Sequence, residues 1–293
     1  MVSAPASPTV SVIIPVFNNA DHLVQQLDGI NAGLAAAPAT ELIVVDNRST
    51  DGSAEVAQRW AADHPDVNLR VVPASDRPGE PYARNVGLDT ALGDHILYCD
   101  GDDIVGPRWL PAMAAALDEH AYVTGPIDMY ELNETWIADV RGSSVTSESL
   151  LFDLVPYAHG CSMGFRRELL EDLGGFDEDY PAGCDLDIAI RAWRGDVILH
   201  FVPDAVVHYR LRPSLRATFD QGRAYGRYRI PVRNQLEDAI DVSAARRANL
   251  RRVGWLVVHG PRALVSQPTR ARWVWVASQI LGEIQGEFEA RRR

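Results

Sequence analysis

The first hundred residues alternate apolar runs, rich in β-branched residues, with segments in which apolar residues recur at helical spacing. The runs have the length of buried strands, and each segment between them has one apolar face. Such alternation predicts an α/β fold, a mostly parallel sheet with helices on both faces, whose ligands bind beyond the carboxyl ends of the strands. The predicted strands are Val10–Ile14, Glu41–Val45, Leu69–Val72 and His95–Cys99, and the predicted helices are residues 20–37, 53–62 and 82–91.

Three carboxylates, those of Asp100, Asp102 and Asp103, directly follow the fourth predicted strand. Like charges this close repel one another unless a cation is shared among them. Mg2+ and Mn2+ bind carboxylate oxygens and leave coordination positions for substrate phosphates. From this motif alone, a site for metal and phosphate and a plain acidic turn both remain open.

The turn after the first predicted strand contains no glycine, since it reads Pro15-Val16-Phe17-Asn18-Asn19. A dinucleotide-binding Rossmann domain carries a glycine fingerprint at this point, and the sequence also lacks a Walker phosphate loop. The pattern therefore predicts that a metal site performs the phosphate binding that a glycine-rich loop performs elsewhere. A nucleotidyltransferase of the sugar-nucleotide pyrophosphorylase type is disfavoured for the same reason.

Composition limits the class of protein and its compartment. The chain has 293 residues, 46% of them hydrophobic, which suits one large domain or one domain with an appendage. Its three cysteines have neither paired nor zinc-type spacing, which favours a reducing compartment, and Met1–Thr9 lacks the pattern of a signal peptide. We therefore expect a cytoplasmic protein, soluble or peripheral at the inner membrane face, without a nucleic-acid partner.

Charge is divided unevenly along the chain. Up to His208 there are 11 arginines against 33 acidic residues, and from Tyr209 onward 17 arginines against 7. The basic C-terminal part is predicted to meet an anionic surface or to pack on the acidic front part. A peripheral membrane contact, a homodimer contact and docking on the catalytic domain all remain open for the apolar face of its final helix. That face consists of Trp273, Ala277, Ile280, Leu281, Ile284 and Phe288.

Four motifs, in this order, resemble the family 2 glycosyltransferases with the GT-A fold over Val10 to about Ser214. They are the opening strand and proline turn Ser11–Asn18, the donor-base loop Val44–Ser53, the Ala-Arg-Asn-x-Gly stretch within Gly79–Gly87, and the DxD signature Asp100-Gly101-Asp102. The resemblance implies a GT-A type nucleotide-diphospho-sugar transferase fold in residues 1–214. The donor half would span about 10–103 and the acceptor half about 104–214, and residues 215–293 would form a basic helical extension.

The resemblance also implies roles for individual residues. Asp46 would bind the nucleotide base, although Asn47 stands where family members often have a second aspartate. Taken alone, Arg84 is equally explained as a surface arginine on an amphipathic helix, and His208 as a structural histidine. The implied donor-binding residues are Pro15, Phe17, Asp46, Arg84 and Asp100, and the implied ligands of Mn2+ or Mg2+ are Asp102 and His208.

On the acceptor side, Gly183–Asp187 is similar to the Glu-Asp-x-Asp segment of the family, with Cys184 in place of the glutamate. The resemblance implies that Asp185 is the catalytic base and that Cys184 and Asp187 contact the acceptor. A carboxylate at a helix start suits proton abstraction, but it also suits a plain N-cap, so both interpretations of Asp185 remain open.

The implied function is metal-dependent transfer of a sugar from a nucleoside diphosphate donor to an acceptor hydroxyl or amine, as in hexosyltransferases. A UDP-sugar is favoured, and the anomeric configuration would invert. Two alternatives remain: a nucleotide-sugar binding protein without turnover, suggested by Cys184, and a retaining enzyme in which Asp185 is a contact only. The acceptor, whether a saccharide, a lipid-linked or a small molecule, is not specified by the sequence.

Overall fold

The computed structural model describes residues 8–142 and 144–292. Most of the N-terminal segment that argued against a signal peptide lies outside the described residues. Cα packing divides the chain into two compact units. The first ends at Asp128 and resumes from Ser144 to Arg210, and the second comprises the segment beginning at Met129 and the chain from Leu211 onward.

The described strands all belong to the first unit, and the helices are shared between the two. The strands are β1 (Val10–Val16), β2 (Thr40–Asp46), β3 (Leu69–Pro73), β4 (His95–Tyr98), β5 (Ile104–Val105), β6 (Tyr122–Thr124), β7 (Ile127–Asp128), β8 (Ser149–Leu151), β9 (Val155–Tyr157), β10 (Met163–Arg166), β11 (Leu199–Phe201) and β12 (Val207–His208). The helices are α1 (Leu23–Leu34), α2 (Ser53–Asp63), α3 (Glu80–Thr90), α4 (Trp109–Glu119), α5 (Thr135–Arg141), α6 (Arg167–Asp172), α7 (Cys184–Arg194), α8 (Leu215–Asn234), α9 (Val242–Ala263) and α10 (Gln267–Ala290).

The predicted α/β architecture is confirmed. Seven strands form the main sheet in the order β11-β6-β10-β4-β1-β2-β3, and only β10 runs antiparallel to its neighbours. Strand β1 lies inside the sheet, paired in register with β2 (Val16 opposite Asp46) and with β4 (Ile13 opposite Tyr98). Because these parallel strands end at one edge of the sheet, the polar residues that follow them are brought together there.

The first helix is shorter than its apolar spacing predicted, since it begins at Leu23 rather than near residue 20. The backbone N–H of Asn19 donates to Ser53 Oγ (2.9 Å), and that of Ala20 donates to Asp51 Oδ2 (2.9 Å). These amides are therefore used to hold the turn after β1 against the start of α2. The side-chain partners lie 34 and 31 positions away, so this turn has no local sequence signal and the apolar spacing alone could not show where the helix begins.

A smaller sheet, in the order β5-β12-β7, lies beside the exit of β4. In it His208 is paired with Ile104, which is two residues beyond Asp102, and with Asp128 on the other side. The small sheet therefore carries His208 from a distant part of the sequence to the acidic segment.

In the second unit, α8 and α10 pack backbone to backbone. A Cβ atom at Gly282 would lie 2.1 Å from the carbonyl oxygen of Arg223, and one at Gly226 would lie 2.1 Å from that of Gln279. Only glycine fits such a close approach. No helix among the described residues is long and apolar enough to cross a membrane.

We expect Gly282→Ala to lower the free energy of unfolding of the second unit by about 1–3 kcal/mol, because the helices must separate to admit the methyl group. Gly254→Ala is the matched control, since a Cβ at Gly254 in α9 meets nothing within 4 Å. Alanine favours a helix over glycine by up to about 1 kcal/mol, so the control should be stabilised. Amide hydrogen exchange in α8, α9 and α10 measures the change in the free energy of unfolding for both variants. A change of the same sign in the two variants would contradict the close packing of α8 against α10.

Candidate active site

The acidic segment after β4 forms a compact cluster of oxygen ligands. One carboxylate oxygen from each of Asp100, Asp102 and Asp103 lies within 4.8 Å of the others. The carbonyl oxygen of Asp100 accepts a hydrogen bond from Gln26 Nε2 (2.7 Å). A Cβ at Gly101 would lie 2.9 Å from the amide end of the Asn19 side chain, so a larger residue between the aspartates would displace that side chain. Hard oxygen ligands from one short loop fit Mg2+ or Mn2+, so the donor set suits the implied cofactor.

Arg210, to which the sequence assigned no role, braces this cluster from the far side. Its backbone N–H donates to Asp103 Oδ1 (2.7 Å), and its Nε donates to the carbonyl oxygen of Asp102 (2.8 Å). Asp103 is fully buried, whereas Asp100 and Asp102 are partly exposed. The two aspartates of the DxD signature are therefore the accessible members of the cluster, and Asp103 holds the loop in place.

His208 lies in the small sheet next to this loop. Its Nδ1 is 3.0 Å from Asp128 Oδ2, which leaves Nε2 for another partner. A carboxylate that orients the ring in this way is usual for a metal-binding histidine and is equally compatible with a structural ion pair. The group of described side chains with ligand atoms within 4.8 Å of one another does not include His208. Its role as a metal ligand stays a prediction.

The predicted donor-binding residues Pro15, Phe17 and Asp46 lie at the ends of β1 and β2. Asp46 is the last residue of β2, and its Oδ1 is buried without a hydrogen-bond partner among the described residues. A buried acceptor without a donor is costly, and an N–H group of a ligand would satisfy it. Phe17 follows β1 with 61% of its surface exposed, and Pro15 is paired with Val45 inside the sheet. These positions are compatible with the predicted donor site without testing it.

Asn47 is buried and has a structural function that an aspartate could not perform. Its Nδ2 donates to the carbonyl oxygens of Ala74 (2.6 Å) and Arg77 (2.8 Å), and its Oδ1 accepts from the N–H of Gly79 (2.8 Å). An ionised carboxylate has no N–H to donate. Asn47, at the position where family members often have an aspartate, therefore holds the segment between β3 and α3 beside Asp46.

Arg84, predicted to bind the donor, is only 1% exposed. Its guanidinium forms an ion pair with Glu80 and lies 3.5 Å from Asp100 Oδ1. It also donates to Gly160 O (3.1 Å) and to Cys184 Sγ (3.2 Å). Burial opposes the charge of Arg84, but the carboxylates of Glu80, Asp100 and Asp185 together raise its pKa above the ordinary arginine value. A direct contact with the donor stays a prediction, because these partners are all protein groups.

Asp185 lies in the first turn of α7. The N-cap position is occupied by Gly183 in the left-handed conformation (φ 107°), so the interpretation of Asp185 as the N-cap is wrong. Its Oδ1 accepts from the N–H of Leu186 (3.0 Å), and its Oδ2 accepts from the N–H of Gly160 (3.3 Å). Burial raises the pKa of Asp185, against the lowering effect of Arg84 and of the backbone donors. A carboxyl group with a raised pKa is better suited to accept a proton than an ordinary aspartate.

The backbone of Gly160 connects Asp185 with Arg84. Its N–H faces Asp185 and its carbonyl oxygen faces Arg84, which in turn lies beside Asp100. A Cβ at Gly160 would lie 2.6 Å from Arg84 Nη2, so a larger residue would displace the guanidinium. The sequence showed this glycine without a role, because its partners are 25 and 76 positions away.

Cys184 and Asp187, predicted to contact the acceptor, are both buried. The Cys184 sulfur accepts from Arg84, and burial raises the pKa of the thiol well above its ordinary value, so it is neutral. Asp187 forms an ion pair with Arg191 (2.7 Å), which also donates to the carbonyl oxygens of Gly175 (2.9 Å) and Leu173. These contacts hold α7 in position, and acceptor binding by either residue stays a prediction.

Comparison with known families gives a match over most of the chain. Residues 11–174 match the family described as Glycosyl transferase family 2, and residues 95–285 match the one described as Glycosyl transferase family group 2. The first match includes the acidic cluster, Asp46, Arg84 and Gly160. The second extends through Asp185 and His208 into the C-terminal helices.

Similar curated proteins are glycosyltransferases. Glycosyltransferase AglE of Haloferax volcanii is 27% identical over 210 residues, which is 70% of this chain and 68% of that protein. The putative glycosyltransferase EpsE of Bacillus subtilis is 24% identical over 96% of this chain and 98% of its own length. The poly(ribitol-phosphate) beta-N-acetylglucosaminyltransferase TarS of Staphylococcus aureus is 28% identical, but the match covers only 35% of that protein.

Solved structures with the same fold are similar at low sequence identity. Mannosyltransferase PcManGT from Pyrobaculum calidifontis, in complex with GDP-Man and Mn2+, has a TM-score of 0.61 and 21% identity, covering 98% of this chain and 90% of that one. Glucosyl-3-phosphoglycerate synthase from Mycobacterium tuberculosis, in complex with Mn2+, UDP and glucosyl-3-phosphoglycerate, has a TM-score of 0.57 and 21% identity, covering 81% and 82%. At this identity the likeness establishes the GT-A fold and leaves substrates open.

Proposed function

Because this chain belongs to glycosyl transferase family 2 and is a transferase, we propose that it moves a sugar from a nucleoside diphosphate donor to an acceptor hydroxyl or amine, with inversion at the anomeric carbon. The observation that supports this best is the line of contacts from the acidic cluster to Asp185. Asp100, Arg84, Gly160 and Asp185 are successive neighbours, so a carboxylate able to accept a proton is tied to a loop able to hold phosphate through a metal.

On the donor side, we propose that Asp46 accepts a hydrogen bond from the nucleotide base through its buried Oδ1. Uracil, guanine and thymine all present a ring N–H, and a UDP-sugar is our first choice. The exposed ring of Phe17 and the turn at Pro15 border the same sheet edge. Asp102 and His208 would hold Mn2+ or Mg2+, and Asp100 would contact the donor beside the ion. When bound, the ion supplies positive charge that stabilises the departing diphosphate.

On the acceptor side, we propose that Asp185 takes the proton of the attacking hydroxyl or amine. The peptide N–H groups of Gly160 and Leu186 hold its carboxylate in one orientation. Arg84 acts as a positioning residue, because its buried charge fixes Asp100 and the peptide of Gly160 at once. Cys184, which replaces the family glutamate, supports Arg84 in this position. We further propose that residues 1–214 form the catalytic domain and 215–293 a helical extension.

The direct test measures nucleotide release. We expect the wild-type protein, with Mn2+, an NDP-sugar and a panel of acceptors, to release the nucleoside diphosphate, and proton NMR of the product to show an inverted anomeric linkage. The matching nucleotide should also raise the unfolding temperature in the presence of Mn2+. At a concentration about a hundredfold above Kd this corresponds to about 2.7 kcal/mol.

The alternatives predict different results in the same experiment. A nucleotide-sugar binding protein would show the thermal shift without release of UDP or GDP. A retaining enzyme would release the nucleotide but keep the anomeric configuration. Formation of pyrophosphate would indicate a nucleotidyltransferase and would contradict the proposal.

We also propose a cytoplasmic protein with a peripheral contact, either to a membrane or to a second copy, through the C-terminal region. The supporting feature is the basic composition from Tyr209 onward.

A further inference from the structure

The helical hairpin of α9 and α10 contains a long segment with positive charge only. Between Val242 and Gly282 there are seven arginines and no aspartate or glutamate. Stretches of this composition are attracted to anionic surfaces over distances of about a Debye length.

One face of α9 is an exposed apolar ridge. We use the name "ridge" for Leu250, Val253, Val257, Val258 and Leu264. Val257 and Val258 are 72% and 73% exposed, and Leu264, just beyond the helix end, is 79% exposed. The residues recur at helical spacing over about 21 Å, so they form a continuous stripe. Contiguous exposed apolar surface of this kind marks an interaction site.

The opposite face of α9 is held against α10. Arg252 forms an ion pair with Glu283 (2.7 Å) and donates to Gln279 (2.9 Å), and the indole N–H of Trp273 donates to the carbonyl oxygen of Leu256 (3.0 Å). These polar contacts fix the rotation of α9 about its own axis. The ridge is therefore presented outward by a rigid support.

Aromatic and cationic side chains border the ridge. Trp255, His259 and Arg262 on α9 and Arg272 on α10 line a cavity of about 310 Å³ in the second unit, together with Trp136 and one carboxylate, that of Asp139. Arg262 follows Val258 by four positions, so the two are neighbours on the helix surface. The guanidinium of Arg272 lies over the ring of Trp255 (5.2 Å). Among the described residues, neither Arg262 nor Arg272 forms a salt bridge.

We propose that the ridge of α9 docks on an anionic lipid bilayer. The aliphatic side chains enter the boundary between headgroups and acyl chains. Arg262, Arg272 and the exposed Arg251 of α9 meet lipid phosphates, with Trp255 at headgroup level. The cavity beside the ridge accepts a phosphate headgroup between the indole rings of Trp136 and Trp255. This inference rests on the proposed peripheral contact of the C-terminal region and does not depend on the transfer reaction.

A bilayer fits the surface better than a second copy of the chain. Self-association through the ridge would place two arginine-rich segments without acidic residues against each other, and like charges at an interface are unfavourable. An anionic membrane supplies both the apolar depth and the opposite charge. Arginine is also able to keep its charged head in the headgroup region while its stem lies along apolar surface.

Vesicle flotation of the full chain tests the proposal without any donor sugar. We expect the wild type to float with vesicles of phosphatidylcholine and phosphatidylglycerol, but poorly with phosphatidylcholine alone, and binding to weaken as NaCl is raised. The double variants Val257→Asp with Val258→Asp, and Arg262→Glu with Arg272→Glu, should each lower the bound fraction about tenfold. The matched control is Ile198→Asp in the first unit, where the side chain is also highly exposed. It should bind like the wild type.

Failure of wild-type flotation on anionic vesicles, or unchanged flotation of the Val257→Asp, Val258→Asp variant, would overturn the proposal. The proposal would also be overturned if light scattering showed a wild-type dimer that this variant converts to monomers, and neither protein bound lipid. Unfolding temperatures check that the variants fold. Independently of any variant, brominated lipids should quench the tryptophan fluorescence of the wild type, and the absence of quenching counts against docking. Release of the nucleoside diphosphate with a soluble acceptor tests the proposed transferase function separately. Failure of membrane docking can therefore be distinguished from failure of that function.

Discussion

The Asp102→Ala variant is expected to lose about a thousandfold in kcat for NDP-sugar turnover while keeping its fold. Asp102 is one of the two partly exposed members of the acidic cluster, and its side chain would hold the divalent ion that offsets the charge of the departing diphosphate. A loss of about three powers of ten corresponds to roughly 4 kcal/mol of transition-state stabilisation, within the range for removing such a charge. The fold should persist because the loop is still held by Arg210 through the main-chain carbonyl of residue 102 and through Asp103.

Two measurements separate this role from a general loss of structure. The unfolding temperature of the wild type should rise with Mn2+ plus nucleoside diphosphate, whereas that of Asp102→Ala should rise little at the same concentrations. Asp66→Ala, at an exposed position between α2 and β3, is the control for removing one negative charge. Turnover by Asp102→Ala within a factor of a few of the wild type would end the case for the acidic cluster as the metal site.

Asp185→Asn is expected to lower kcat by about a hundred- to ten-thousandfold, the usual contribution of a general base. The amide has nearly the same shape, and its oxygen can still accept a hydrogen bond from the N–H of Gly160 or Leu186. Donor binding and the unfolding temperature should therefore change little. Nucleotide release and donor titration by calorimetry measure the two effects separately.

The same carboxyl group predicts the pH dependence of the wild type. A base must be ionised to act, so kcat/KM should rise with pH through the pKa of Asp185. Because burial raises that pKa, the acidic limb should lie at higher pH than for an ordinary aspartate. The residual kcat/KM of Asp185→Asn should not show this acidic limb. Asp187→Asn is the comparison two positions away: it loses the ion pair with Arg191, so it should lower the unfolding temperature but keep the limb.

Retention of more than about a tenth of wild-type kcat by Asp185→Asn would exclude Asp185 as the base, since a general base contributes at least about a hundredfold. In that event a product with retained anomeric configuration would support the retaining alternative, with Asp185 as a contact.

The architecture and the edge at which the site lies could be predicted from local patterns. Apolar runs of strand length ending in Asp46 and Asp100 place these carboxylates at the carboxyl edge of a parallel sheet, because strand direction follows from the βαβ alternation. Likewise Gly101 between two aspartates and the order of the four motifs are readable without coordinates. The bounds of α1 were less accurate, since the turn before it is held by the side chains of Asp51 and Ser53, which lie more than 30 positions further along the chain.

Contacts between distant positions could not be read from the chain in this way. Arg84 looks like a donor ligand or a surface residue until folding buries it against Cys184, one hundred positions away, and against Gly160. Asn47 looks like a weakened base contact until its amide is seen to donate to Ala74 and Arg77. Backbone propensity and apolar periodicity are properties of neighbouring residues, so they specify elements and strand ends. The partner of a buried charge or amide depends on which surfaces pack together. In this protein that packing placed Arg84 and Gly160 between Asp185 and the acidic cluster, and Asn47 beside Asp46.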